Sequence, residues 1–162
     1  MRLVLLALVL SASAVQAQIS LPEVLPMRER AEVQDRWLAD RLETVVPALM
    51  RREGIDLWIV SAREYDEDPV IETMLPATWL AARRRTTLVF WDDGDTVERL
   101  AVARYDVGPF PRAWDPETQP DQWARVAEIV AERDPQRIGV DRSETFATAD
   151  GLSSTEYEAL WA

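Results

Sequence analysis

Apolar residues in the first third of the chain recur at helical spacing. The pattern predicts one amphipathic helix that begins at Met27 and carries charged residues on its opposite face. Pro47 lies inside the pattern, so we expect a kink there, and Gly54 is expected to end the helix. The apolar stripe consists of Leu38, Leu42, Val45 and Leu49, widened by Trp37, Val46 and Met50.

Four shorter apolar segments predict the strands of one sheet. Residues 55–60 are almost wholly apolar and predict a central strand. Residues 86–91 and 96–105 flank Asp93-Gly94, a dipeptide typical of hairpins, so they predict an antiparallel pair. Residues 138–140 follow a Pro turn and predict a short buried strand.

The loop after the first strand, residues 61–68, is crowded with charges. In an open α/β sheet, ligands usually bind beyond the carboxyl ends of the strands, where this loop is expected. The interpretation that we favour is simpler. Asp66 to Asp68 place acceptors and negative charge at the amino end of a short helix predicted over 69–75.

Two further helices are predicted in the second half. The first begins after Asp121 and ends at Asp134-Pro135, and its apolar stripe comprises Trp123, Val126, Ala127, Val130 and Ala131. The second begins at Ser153, three residues before Glu156, the spacing of a capping box. Leu152 and Tyr157 occupy the positions of a hydrophobic staple, and Tyr157, Leu160 and Trp161 open an apolar stripe.

The order of these elements indicates the fold class. Helix, strand, helix, hairpin, helix, strand and helix follow one another, which predicts an α/β fold. The antiparallel hairpin is inserted between strands joined by crossovers, so we expect a mixed sheet with helices on its faces. The Pro-rich segment 107–120 has no periodicity, and its Trp114 would suit packing against another domain or subunit.

The amino terminus has the features of a signal peptide. Arg2 precedes an unbroken apolar run over 3–10, and small residues stand at the cleavage positions before Gln18. The run is too short to span a bilayer as a helix. We therefore expect residues 1–17 to be removed, residues 18–26 to form a lead segment, and the mature protein to be periplasmic or extracellular rather than membrane-bound.

Charge and composition exclude several classes of function. The formal net charge of −11 argues against binding a nucleic-acid backbone or an anionic membrane. The chain contains no His and no Cys, so it cannot form a Ser-His or Cys-His pair or a zinc-thiolate site. Its chemistry is restricted to carboxylates, Arg, Tyr and hydroxyl groups.

Three segments together resemble a known family. They are M-R-R-E-G-I-D-L-W-I-V, A-R-R-R-T-T-L-V-F-W with its hairpin, and R-I-G-V-D-R-S-E-T-F-A-T-A-D-G-L-S. Their order and spacing are similar to those of the amino-terminal domain of creatinase, prolidase and Xaa-Pro aminopeptidase. The resemblance covers the chain from about Met27 to Trp161 and implies a ribonuclease-H-like fold. It places this domain over 27–152 and makes 153–162 the start of a helix that leads into a missing catalytic domain.

The resemblance also implies a role. In that family the amino-terminal domain is non-catalytic and is associated with dimer contacts and with narrowing the active-site entrance. The catalytic "pita-bread" domain holds two divalent metals (Mn, Co or Zn) through two Asp, one His and two Glu. None of these ligands can be carried onto this chain, so we assign it no catalytic, cofactor-binding or metal-binding residue. The expected partners are its own carboxyl-terminal catalytic domain, a second subunit and, in the whole protein, a peptide substrate.

Two other functions remain open. One is a stand-alone exported module that dimerises or binds a small ligand, suggested by Arg83-Arg84-Arg85 and by aromatics near Trp114. We expect, however, that the arginines pair with nearby carboxylates. The other is a carboxylate-only hydrolase that uses acids in or beside strands, namely Asp56, Asp92, Asp93 and Asp141. The acidic cluster 92–95 lacks the spacing of an EF-hand loop, so we interpret it as a solvated turn rather than a calcium site.

Overall fold

The computed structural model describes residues 24–162, without the side chain of Thr148. The expected signal peptide and most of the lead segment lie outside these residues. A π turn (Arg41–Val45) joins α1 to α2, and a 3-10 turn (Ala147–Ala149) precedes α5. The helices are α1 (Met27–Asp40), α2 (Val46–Glu53), α3 (Pro69–Met74), α4 (Gln122–Arg133) and α5 (Ser154–Trp161). The strands are β1 (Leu57–Arg63), β2 (Arg85–Asp92), β3 (Val97–Val102) and β4 (Ile138–Val140).

The strands form one mixed sheet in the order β3-β2-β1-β4. β2 runs antiparallel to both of its neighbours, and β4 runs parallel to β1. Strands β1, β3 and β4 therefore point the same way, with β2 reversed between two of them. The expected α/β class, the mixed sheet and the Asp93-Gly94 hairpin are confirmed. β1 is central, as predicted, because it pairs on both sides and is buried over all but its last residue.

The central strand divides the core into two layers. Side chains that alternate along β1 point to opposite faces of the sheet. Trp58 and Val60 pack on one face with α1, α2 and α3, while Leu57 and Ile59 pack on the other with α4. Trp114 belongs to this second layer and is only 8% exposed. Its indole N–H donates to the carbonyl of Gln119 at 2.7 Å. The expectation that Trp114 packs against another domain is therefore wrong.

The first helix is continuous from Met27 to Glu53, but its buried face differs from the prediction. Val45 was predicted to lie on the buried apolar face, but its side chain is 55% exposed, whereas Val46 and Met50 are fully buried. The cause is the π turn, in which the Val46 N–H donates to the carbonyl of Arg41. This turn holds one residue more than an α turn, so the inward face is displaced by one position. Pro47 follows immediately, in the first turn of α2, where a residue without an N–H is tolerated. The expected kink at Pro47 stays a prediction.

The helix ends that the sequence predicted are largely confirmed. Asp68 accepts hydrogen bonds from the amides of Val70 and Ile71, and Asp121 caps α4 in the same way. Gly54 ends α2 with φ of 64°. Asp134 ends α4 with φ of 45°, a left-handed conformation that Asp tolerates better than most residues.

The two edges of the sheet differ in their cover. Beyond β3, the segment around Arg112 pairs with Ala101, whose N–H donates to the carbonyl of Pro111 at 2.8 Å. Beyond β4, no strand pairs with it among residues 24–162. Ile138 is 39% exposed, so the prediction of a buried strand is wrong. The residues of β4 carry no polar side chain, which also suits an edge strand that a further element covers.

Candidate functional site

A pair of carboxyl groups lies where β1 and β4 end. Asp141 directly follows β4, and Asp68 closes the loop that follows β1. Because these strands are parallel, the segments that leave their carboxyl ends meet at the same edge of the sheet. Asp68 is 1% exposed. One oxygen of each group has a donor: Asp68 Oδ1 accepts the amide of Val70 at 2.6 Å, and Asp141 Oδ1 accepts the indole N–H of Trp58 at 2.8 Å.

The other oxygen of each group lacks a hydrogen-bond donor among residues 24–162. Asp68 Oδ2 and Asp141 Oδ2 are buried, and neither accepts a hydrogen bond from a donor in the described part of the chain. The two side chains are within hydrogen-bonding reach of one another. Two bare carboxylates in that position would repel strongly, so the geometry is that of a carboxyl-carboxylate pair that shares one proton.

Burial raises the pKa of Asp141 to about 7, and the negative charge of Asp68 adds to the effect. Burial also raises the pKa of Asp68, but the amides of Val70 and Ile71 oppose that rise. Asp68 therefore keeps the negative charge at the amino end of α3, and Asp141 carries the proton. Capping by Asp68 was predictable from local spacing. Its contact with Asp141 was not, since it joins residues far apart in the sequence.

A carboxyl group with a pKa near 7 is suited to acid-base chemistry, but this one lacks room for a substrate. Gly151 packs directly against Asp68. A Cβ placed on Gly151 would lie 1.6 Å from Asp68 Oδ2. Only glycine can approach Asp68 this closely. Gly151 therefore fills the space in front of the two carboxyl groups. The pair therefore joins α3, β4 and the segment before α5, a structural role.

Glu156 forms a second buried polar cluster. It is 2% exposed, and its Oε1 lies 3.4 Å from Arg85 Nε, an ion pair without hydrogen-bond geometry. Ser153 Oγ donates to Glu156 Oε2 at 2.9 Å. The predicted capping box is therefore wrong in detail, because neither side chain bonds a backbone amide at the start of α5. Arg85 attracts the carboxylate towards the sheet instead.

An apolar groove lies between α4, β4 and α5. Its volume is about 280 Å³. Ile138 and Trp161 on its border are 39% and 67% exposed, and Tyr157 and Trp161 meet edge to face at 5.7 Å. Large exposed apolar surfaces of this kind are typical of interaction sites. The groove is lined chiefly by Ile59, Trp123, Val126, Val130, Ile138, Val140, Tyr157, Leu160 and Trp161.

The four acids considered for hydrolysis are held in separate contacts. Asp56 accepts the amides of Gln136 and Arg137 at 2.8 and 2.9 Å. Asp92 pairs with Arg51 at 2.8 Å, and this hydrogen bond lowers the pKa of Asp92. Asp93 accepts the amides of the hairpin turn, and Asp141 pairs with Asp68. In residues 24–162, no group of three or more acids is arranged to hold a metal ion.

The prediction that Arg83, Arg84 and Arg85 pair with carboxylates is confirmed only for Arg85. Arg85 pairs with Glu156 and stacks over Trp123 at 5.0 Å. Arg83 stacks over Trp79 at 5.0 Å, and neither Arg83 nor Arg84 forms an ion pair with a residue that the structure describes.

Among residues 24–162, no helix is both long and apolar enough to cross a membrane.

Comparison with known proteins adds no relative: no protein-family model, curated protein or solved structure matches this chain. What the chain shows by itself is an α/β domain with a mixed four-stranded sheet, a buried carboxyl pair at the strand ends and an uncovered apolar groove at one edge.

Proposed function

We propose that this chain is the non-catalytic amino-terminal domain of an exported metal-dependent peptidase of the Xaa-Pro aminopeptidase or dipeptidase type. Its role is to contact its own catalytic domain and a second subunit and to narrow the active-site entrance. The resemblance of three segments in order and spacing supports the proposal. A mixed sheet with one reversed strand is also compatible with the ribonuclease-H-like fold that the resemblance implies.

The apolar groove is the observation that carries the proposal. A groove of about 280 Å³ beside an edge strand offers both apolar surface and free backbone groups to a neighbouring element. Trp161 and Ile138 are the large side chains that such a partner would cover. The occupant that we assign to this groove is an element of the catalytic domain. The two divalent metals and their ligands belong to that domain.

The coding sequence beyond the codon for Ala162 tests the assignment directly. We expect an open reading frame that continues for roughly another domain and encodes a His and several acidic metal ligands. A stop codon at that point would contradict the proposal. Mass spectrometry of the exported protein tests the localisation, since cleavage after Ala17 gives a chain that begins at Gln18.

The isolated chain provides a second test. Purified residues 18–162 are expected to bind no stoichiometric Mn, Co or Zn and to cleave no Xaa-Pro peptide, because the metal-activated water belongs to the catalytic domain. Metal retained after exhaustive dialysis, measured by elemental analysis, would overturn this expectation. The groove is tested in the same preparation with Ile138→Glu, which should reduce the binding of a hydrophobic dye. Val24→Glu, an exposed apolar residue before α1, is the matched control.

A stand-alone binding or dimerisation module is the second candidate function. The observation that favours it is the presence of arginines without an ion pair in the described part of so acidic a chain, Arg83 and Arg84 among them. It predicts that a stop codon follows Ala162 and that the chain associates or binds a ligand without a catalytic domain. Sedimentation of the purified chain would report such association.

A further inference from the structure

A pocket rich in arginine lies at one edge of the sheet, between the residues that precede β2 and those that follow β3. Its volume is about 240 Å³. We call it the arginine pocket; its chief lining residues are Glu64, Trp79, Arg83, Arg84, Arg104 and Tyr105. β1 and β3 run in the same direction and both end here. The pocket therefore occupies the carboxyl edge of the sheet, where ligands of open α/β sheets usually bind.

The charge of the pocket contrasts with that of the chain. Three guanidinium groups line it in a protein of net charge −11. No carboxylate of residues 24–162 forms an ion pair with Arg83, Arg84 or Arg104. The neighbouring Arg85, in contrast, is paired with Glu156. Three arginines against one Glu make the lining positive.

The single acid of the pocket positions the backbone of an arginine. Glu64 accepts a hydrogen bond from the N–H of Arg84 at 3.2 Å, and its own N–H donates to the carbonyl of Arg84 at 2.6 Å. Arg84 has φ of 54°, a left-handed conformation that is costly for a residue with a long side chain. Such strain, held in place by specific hydrogen bonds, is typical of functional positions.

The aromatic residues give the pocket a second type of surface. Arg83 lies over the Trp79 ring at 5.0 Å, which holds its guanidinium beside the opening. Thr86 Oγ1 donates to the carbonyl of Arg83 at 3.2 Å and fixes the backbone there. Tyr105 is 59% exposed at the border of the same pocket. Guanidinium groups beside aromatic rings suit a ligand that combines an oxyanion with a planar apolar part.

We propose that the arginine pocket binds a small ligand with a carboxylate or phosphate group attached to a planar apolar group. Arg84 and Arg104 bind the oxyanion, and Trp79 and Tyr105 contact the planar part. The ligand site is independent of the peptidase assignment, since it needs no residue outside this chain.

Calorimetric titration of the purified chain at low ionic strength tests the proposal. The probes are benzoate, phenyl phosphate and inorganic phosphate. We expect saturable binding of at least one aromatic probe. If benzoate binds more tightly than phenyl phosphate, the oxyanion is a carboxylate; if phenyl phosphate binds more tightly, it is a phosphate. Arg84→Gln and Arg104→Gln should each weaken binding by about tenfold or more, since each removes a charge-assisted hydrogen bond. Trp79→Leu should weaken aromatic probes but not inorganic phosphate.

The matched control is Arg28→Gln, which removes an exposed arginine of α1 and should leave affinity within about twofold. Because Arg84 has an unusual backbone, thermal unfolding must show that its variant is folded; Arg104→Gln, outside any strand, gives an independent reading. Absence of saturable binding for all three probes would overturn the proposal. So would an equal loss of affinity in Arg28→Gln, which would indicate general charge attraction only.

Discussion

Asp141 meets a second carboxyl group, Asp68, where a buried carboxylate in a protein usually meets a cation or several amides. The pair is most stable while it holds one proton. Because burial and the charge of Asp68 raise the folded-state pKa of Asp141 to about 7, well above its unfolded value, the folded protein binds that proton more tightly. The resulting stabilisation is fully present below the unfolded pKa and is lost as pH rises through the folded pKa.

The first prediction concerns this pH dependence. Between about pH 4 and 7 the free energy of unfolding should fall as pH rises, by at most about 1.4 kcal/mol per pH unit. Asp141→Asn should flatten the slope in this range and stabilise the fold at pH 8, where the parent holds two negative charges. Urea unfolding at pH 5.5 and 8 measures both effects.

Glu144→Gln is the control for that measurement, because Glu144 is exposed. It should leave the slope unchanged. At lower pH a separate effect acts in the opposite direction: Arg51 lowers the pKa of Asp92, so that contribution to stability is lost as pH falls. An Asp141→Asn slope identical to that of the parent above pH 5 would contradict the shared proton.

The second prediction concerns Gly151. Gly151→Ala forces a Cβ into Asp68 and should lower the free energy of unfolding by about 2–3 kcal/mol. It should also change the pH slope, because the carboxyl groups must move apart. Gly94→Ala is the control: it has φ of 98° but no atom within 4 Å of a new Cβ, so it should cost about 1 kcal/mol and leave the slope intact. Equal pH slopes in Gly151→Ala and the parent would refute the contact.

At the scale of elements, the first helix shows how one extra residue changes a pattern. Leu38, Leu42, Val46 and Met50 are all buried at steps of four. In a regular α-helix each such step drifts by about 40° around the axis, so after three steps the four residues would not share a narrow face. The π turn between them absorbs the drift. It also places Pro47, which has no N–H, beside a turn that is already irregular.

The third prediction follows from this geometry. Deleting Thr44 from the π turn should restore a regular α-helix and place Pro47 in its interior, at a cost of about 3 kcal/mol. Adding Pro47→Ala to the deletion should recover most of that loss. Chemical unfolding compares the two variants. Deletion of Glu128 from the regular α4 is the control and should unfold the domain. A deletion of Thr44 that costs no more alone than with Pro47→Ala would argue against this account.

The fourth prediction concerns the link between β2 and α5. Glu156→Ala leaves Arg85 without its buried partner and should cost about 2–3 kcal/mol. Glu158→Ala, exposed on the same helix, should cost less than about 0.5 kcal/mol. Denaturant unfolding followed by tryptophan fluorescence measures both. Equal losses in the two variants would mean that the ion pair contributes nothing.

Local patterns predicted the elements well where neighbours in sequence decide the structure. The Asp68 cap, the helix start after Asp121, the end of α2 at Gly54 and the Asp93-Gly94 hairpin depend on residues within one turn of one another. The predictions failed where a distant residue decides. Arg85 redirects Glu156, and the π turn exposes Val45. These outcomes depend on which elements pack together, which spacing alone does not encode.

At the scale of the molecule, the sheet separates two apolar layers. The layer on the α1 and α2 side includes Trp58 and Phe90, whose rings lie 5.3 Å apart. The other layer continues into the apolar groove beside β4. The sequence suggested a small ligand at Arg83-Arg84-Arg85, but neither the groove nor the whole arginine pocket could be predicted, because each collects residues from separate elements. Composition nevertheless showed that a cluster of arginines stands out in a chain of net charge −11.

The carboxyl pair of Asp68 and Asp141 also makes the apparent enthalpy of unfolding depend on the choice of buffer. At a pH between the unfolded and folded pKa values of Asp141, unfolding releases about one proton to the buffer. An amine buffer takes up that proton with the evolution of much heat, whereas a carboxylate buffer evolves little. Calorimetry at one pH should therefore give a smaller apparent enthalpy in the amine buffer, by the difference in ionisation heats. The number of protons buried in the fold can be counted in this way without altering a single residue.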